Sequence, residues 1–254
     1  MSDSTNSLLR GLIDFLHDKK VDKFVELPEI AVMGDTSTGK SSVLSAISGI
    51  QFPSAVKITT RCPTRVRMYR CNESKPTKVD IKWISPDVAA AEKKKWSALY
   101  LDDSSKITDA IKNAQNFILK LSKRAIARDT IEVHLFGPDL EDITLIDLPG
   151  FVRTAADYDD TSIIADIDAL IQEYLNRERC IIMPVVDLTY NWRNSSILNQ
   201  ARQVDPEGLR TIPILTKPDL VKQENFDDAI DLLHGATVPT QISRRYVPQP
   251  DRSR

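Results

Sequence analysis

The run Gly34, Asp35, Thr36, Ser37, Thr38, Gly39, Lys40 and Ser41 constrains this chain more than any other feature. It spells G-x-x-x-x-G-K-S. The stretch Glu29 to Met33 before it reads as a buried strand, and Ser42 to Ile47 after it keeps helical spacing. Strand, glycine-bearing loop and helix together open a β-α unit, the setting in which this spelling carries chemistry. Glycines let the backbone curl so that successive N–H groups point inward at phosphate oxygens. The helix N-terminus adds its partial positive charge. Lys40 reaches β and γ phosphates as a point charge, and the Ser41 hydroxyl is a hard oxygen ligand for Mg²⁺. The expected cradle runs from Gly34 through Ser42.

Two further motifs follow apolar stretches. Asp147, Leu148, Pro149 and Gly150 come directly after Ile143 to Ile146. Asp147 therefore falls at the C-terminal end of a strand, the edge where parallel sheets collect ligands. A carboxylate there suits the water shell of Mg²⁺, and glycine lets the Gly150 N–H approach a γ-phosphate. Thr216, Lys217, Pro218 and Asp219 stand past another apolar strand. One carboxylate can accept from both N1–H and the 2-amino group of guanine. Adenine offers neither donor and would leave the carboxylate unpaired, which argues against an ATP-using kinase. The Lys217 stem can pack along the base. Upstream of Arg61-Cys62-Pro63, either Thr59 or Thr60 can bind Mg²⁺ by its hydroxyl and hold an attacking water by its carbonyl, and spacing alone leaves both open.

The remaining pattern alternates between periods. Residues 64–70 and 78–84 read as strands, Ser105 to Ala127 as a helix, and 130–136 and 142–147 as strands joined by a turn at Gly137-Pro138-Asp139. Ile163 to Tyr174 and Ser195 to Val204 read as helices, Cys180 to Val186 and Thr211 to Leu215 as strands, and Phe226 to Leu233 as a last helix. The lysine run Glu92 to Lys95 reads as a solvated helix face or loop. This order predicts an α/β fold of the P-loop NTPase kind, with a mostly parallel central sheet and helices on both faces. At 254 residues, 41% hydrophobic and 28% charged, the chain suits a globular domain. A formal charge of −2 gives no global attraction to nucleic acid, and none is expected as a partner. Three cysteines without metal-ligand spacing, no apolar signal core and no bilayer-length apolar run point to a cytoplasmic protein, peripheral at membranes if it meets them.

The motifs together resemble the dynamin superfamily of large GTPases. Leu27 to Asp35 continued by Gly39 to Leu44 is very close to that family's phosphate loop, and Ile58 to Pro63 resembles its switch segment, which points to Thr60. Val204 to Gly208, Arg210 to Ile212 and Leu215 to Leu220 resemble the Mx branch in particular. The resemblance implies a GTPase domain over residues 27–238, preceded by a helix over 1–26 that belongs to a bundle-signalling element, with an unstructured tail over 239–254. It implies Mg²⁺-dependent hydrolysis of GTP to GDP, with Ser37, Lys40 and Thr60 catalytic. It also implies nucleotide contacts along Gly34 to Ser42, Asp147 to Gly150 and Thr216 to Leu220, and metal ligation by Ser41, Thr60 and Asp147. Two copies pairing across the nucleotide face, pairing with dynamin-like relatives, and contact with membranes or microtubules follow from resemblance alone. A stalk is expected to be absent. Two positions depart from the pattern. Thr36 stands where the family has a water-placing glutamine, and Pro53 to Lys57 replaces a Gly-Ser-Gly-like segment that helps bind a monovalent cation. The alternative reading is a truncated or hydrolysis-impaired guanine-nucleotide switch or interaction module.

Overall fold

The computed structural model describes residues 29–53, 60–86, 88–151, 162–189, 195–221 and residue 230. The helix expected over 1–26, Thr59, the helix expected over 226–233 and the tail over 239–254 lie outside them, Ile230 excepted. The elements in chain order are β1 (Glu29–Met33), α1 (Lys40–Ser48), β2 (Thr64–Arg70), β3 (Lys75–Lys82), the single turn α2 (Ala90–Lys93), β4 (Leu99–Leu101), α3 (Ile107–Ser122), β5 (Thr130–Gly137), β6 (Ile143–Asp147), α4 (Ser162–Leu175), β7 (Cys180–Asp187), α5 (Ser196–Val204) and β8 (Ile214–Thr216). No helix among the described residues is long and apolar enough to cross a membrane.

The strands form one eight-stranded sheet in the order β4-β3-β5-β2-β6-β1-β7-β8. The pairings β1–β6, β1–β7, β2–β5 and β7–β8 are parallel, while β2–β6, β3–β4 and β3–β5 are antiparallel. Alternation along β1 feeds two cores. Val32 points to a cluster with Leu44 of α1, Ile107, Ile111 and Ile118 of α3, and Val66, Val133 and Leu145. Ala31 and Met33 point to the other, with Ile146, Leu148, Ile167 and Ile171 of α4 and Ile197 of α5. The parallel strands β1 and β7 are apolar because helices cover both their faces.

The structure differs from the sequence reading at five places. The α3 helix ends at Ser122 and not Ala127, because Lys123 turns left-handed (φ 53°) and its N–H closes the last turn on the Leu119 carbonyl. The apolar residues beyond it are buried by tertiary contact: Ala127 donates its N–H to the Arg61 carbonyl at 2.9 Å. Strand β8 is confined to Ile214–Thr216, while Thr211 makes an isolated bridge to Ile182, since Pro213 has no N–H for the ladder. β5 and β6 follow each other in sequence, yet β2 lies between them. β3 starts at Lys75 and stops at Lys82, and the buried Asp129 carboxylate accepts the next free N–H groups, from Ile84 at 2.7 Å and Ser85 at 2.8 Å. β4, a three-residue edge strand, is too short to show a period in sequence.

Candidate functional site

β1, β6, β7 and β8 run parallel, so Met33, Asp147, Asp187 and Thr216 all end at one sheet edge. The loop from Gly34 to Gly39 turns there into α1. Gly34 passes so close to β7 that a Cβ on it would lie 2.5 Å from the Val185 carbonyl oxygen. Gly39 caps α1 at φ 95°, a left-handed conformation that side chains resist. Ser37 is left-handed too (φ 63°), a strained choice for a residue with a Cβ. Beyond Gly39, the first turn of α1 leaves N–H groups of Lys40, Ser41 and Ser42 without intrahelical acceptors, a positive end suited to anions.

Lys40 is buried, and its ammonium donates to the carbonyls of Gly34 at 3.0 Å and Asp35 at 2.8 Å. Burial lowers its pKa, and the charges of Asp147 and Asp35 oppose that shift. Asp147 is buried as well, and desolvation pushes its carboxyl up to about 6 against the pull of Lys40 and the Thr60 hydrogen bond. Thr60 donates its hydroxyl to Asp147 Oδ2 at 2.8 Å. Asp147 Oδ1 is buried and finds no hydrogen-bond partner among the described residues. Among the described residues, the Ser41 hydroxyl reaches only the Pro53 carbonyl, at 3.5 Å. Gly150 packs under the lysine, where a Cβ would stand 2.8 Å from Lys40 Nζ and 3.2 Å from the Thr36 backbone. Leu148 contributes to the core below, fully buried.

The third motif is tied to the first. The Thr216 hydroxyl donates to the Thr38 carbonyl at 2.7 Å, and Lys217 donates to the Ser37 carbonyl at 3.1 Å. Lys217, left-handed at φ 56°, also pairs with Asp187 Oδ2 at 2.6 Å. Burial raises the Asp187 pKa, but hydrogen bonds from Lys217 and Thr189 outweigh it and hold the carboxylate below its usual range. Pro218, Asp219 and Leu220 form a 3₁₀ turn that is exposed, with Asp219 free of hydrogen bonds and ion pairs among the described residues. The structure thus brings Gly34 to Ser42, Thr60, Asp147 to Gly150 and Thr216 to Leu220 to one edge.

Three contributors escaped the sequence reading. Asp187 anchors Lys217, and its signal was available: like Asp147, it terminates an apolar strand. Gln115 of α3 accepts the Arg61 N–H at 2.8 Å and so fixes the residue next to Thr60. Phe151 offers its carbonyl to Thr36. Neither Gln115 nor Phe151 has a sequence signal: the Gln115 side-chain oxygen meets a backbone N–H, and Phe151 offers a backbone carbonyl, each brought near only by folding.

A glycine-lined cradle at a helix N-terminus, beside a buried lysine and a strand-end carboxylate, defines an α/β domain for nucleoside phosphates. The comparison with known families narrows this: the dynamin family model matches residues 30–218. The interferon-induced GTP-binding protein Mx of Perca fluviatilis is 36% identical over 228 residues, covering 90% of this chain and 72% of that protein. The Mx of Dicentrarchus labrax is 37% identical over 89% of this chain, and Mx2 of Mus musculus 36% over 88%. The chain spans only 33% and 32% of the length of those two relatives. It belongs to the dynamin family.

Proposed function

We propose that this chain binds GTP with Mg²⁺ and hydrolyses it to GDP and phosphate. The observation that carries the reading is the pair of buried Lys40 and Asp147 with half-buried Thr60 beside the glycine loop, one carboxylate oxygen lacking a partner among the described residues. The hard oxygens of the Ser41 and Thr60 hydroxyls and the Asp147 carboxylate fit Mg²⁺. When bound, that ion offsets negative charge on the phosphate oxygens. Lys40 exchanges its two carbonyl acceptors for phosphate oxygens, and the α1 N–H groups complete the cradle. The Gly150 N–H faces the γ-phosphate, while the Thr60 carbonyl and Ser37 orient the attacking water. Asp219 accepts from the guanine edge, and Lys217, its ammonium fixed by Asp187 and Ser37, lays its stem along the base.

Family membership and relatives named for GTP binding support this reading and support self-association, as pairing of two copies or with relatives across the nucleotide face. A cytosolic location accords with three free cysteines, Cys62, Cys71 and Cys180. A second reading, a nucleotide switch that turns over poorly, is favoured by one observation: the Thr36 hydroxyl is committed to a backbone carbonyl and not to a water position. Labelled GTP and ATP binding with and without Mg²⁺, followed by single-turnover phosphate release, tests both. Mg²⁺-dependent GTP uptake with release is expected; uptake without release selects the switch, and equal ATP affinity overturns the base assignment.

A further inference from the structure

We infer that Thr36 is a positioning residue for hydrolysis: its hydroxyl latches the phosphate loop to the segment after Asp147, and so holds Gly150 against Lys40. The inference rests on the GTP hydrolysis proposed above. Thr36 donates to the Phe151 carbonyl twice, by its N–H at 3.1 Å and its hydroxyl at 2.8 Å. Phe151 returns its own N–H to the Gly34 carbonyl at 3.1 Å, and Asp35 pairs with Phe151 as a short parallel bridge. Residues 34–36 and 151 are therefore zipped together as a miniature sheet extension beyond the ends of β1 and β6.

Gly150 directly precedes Phe151 in the segment that leads from Asp147 into this zipper. Its Cα sits over both the Thr36 backbone and the Lys40 ammonium, with no space for a methyl group. The same Lys40 feels the charge of Asp147, whose Oδ2 accepts from the Thr60 hydroxyl. A shift of the segment at 151 moves Gly150, and with it the N–H proposed to meet the γ-phosphate. A valine at 36 has the shape of threonine without the donor. A glutamine there has an amide, but its longer chain cannot donate to Phe151 from the same place. Phe151 is buried in the core with Leu148 and Ile167, so the latch joins the loop to a rigid support.

The test uses the wild-type chain with Thr36→Val, Thr36→Ser and Thr36→Gln. Without nucleotide, hydrogen exchange over residues 147–151 reads the latch itself. The valine variant should exchange about three- to tenfold faster, the worth of one neutral hydrogen bond, and the serine variant as wild type. In single-turnover hydrolysis, Thr36→Val should lose about three- to tenfold in rate while fluorescent GDP affinity stays within about twofold, and Thr36→Ser should restore the rate. Unchanged exchange in Thr36→Val overturns the latch. Wild-type turnover in Thr36→Val overturns its role in hydrolysis, as does a tenfold or greater gain in Thr36→Gln. Failure of the wild type to take up GTP with Mg²⁺ defeats the proposed function and any role of Thr36 in it, and the exchange data then still decide whether the latch exists.

Discussion

Replacing Asp147 by Asn is expected to stabilise the protein near neutral pH in the absence of nucleotide and metal, although the residue is central to the site. The Asp147 carboxyl is buried, one of its oxygens has no partner among the described residues, and its pKa is pushed from 3.8 to about 6 by desolvation. A carboxyl with a raised folded-state pKa binds its proton more tightly folded than unfolded. Its contribution to stability is therefore favourable at low pH and is lost as pH rises through the window from about 4 to about 6. At 1.36 kcal/mol per pH unit, the rise from 3.8 to about 6 makes the ionised form cost about 3 kcal/mol at pH 7, already net of the attraction to Lys40. An asparagine carbonyl still accepts from Thr60 and carries no charge to desolvate. Urea denaturation of both proteins in EDTA, from pH 4 to pH 8, measures the difference. The variant should be more stable by about 3 kcal/mol at pH 7, roughly 6–12 °C in Tm, with the advantage vanishing near pH 4. Equal or lower stability of the variant at pH 7 refutes the reasoning and means that Asp147 is adequately solvated or paired.

Lys40→Met removes the buried ammonium that donates to Gly34 and Asp35, and fluorescent nucleotide titration should show affinity down by about 100-fold, the worth of charged phosphate contacts. Asp219→Asn leaves one acceptor where guanine presents two donors; GTP should bind about 30- to 100-fold more weakly in competition assays, and xanthosine triphosphate, whose 2-oxo group accepts from the new amide, should gain. Gly34→Ala places a methyl 2.5 Å from the Val185 carbonyl, a backbone atom with little freedom to yield, and should cost about 1–3 kcal/mol in denaturant melts. Unchanged stability there means that the loop stands off from β7 in solution.

What the sequence alone determined is local. The glycine loop, its flanking strand and helix, and the carboxylates closing apolar strands are all contiguous signals, because a phosphate cradle and a strand-end ligand site are each built within one β-α step. The periods of Glu29–Met33, Ile163–Tyr174 and Cys180–Val186 likewise follow from each segment having one or two buried faces. Only the tertiary structure decided the rest. The strand order puts β2 between β5 and β6, so that Thr60, just before β2, meets Asp147 at the end of β6 across 87 residues of chain. The fold also turned Thr36 toward Phe151, Gln115 toward Arg61 and Lys217 toward Asp187. Such contacts leave no periodic trace, because they depend on where backbone atoms of distant segments come to rest when the sheet closes and its helices pack.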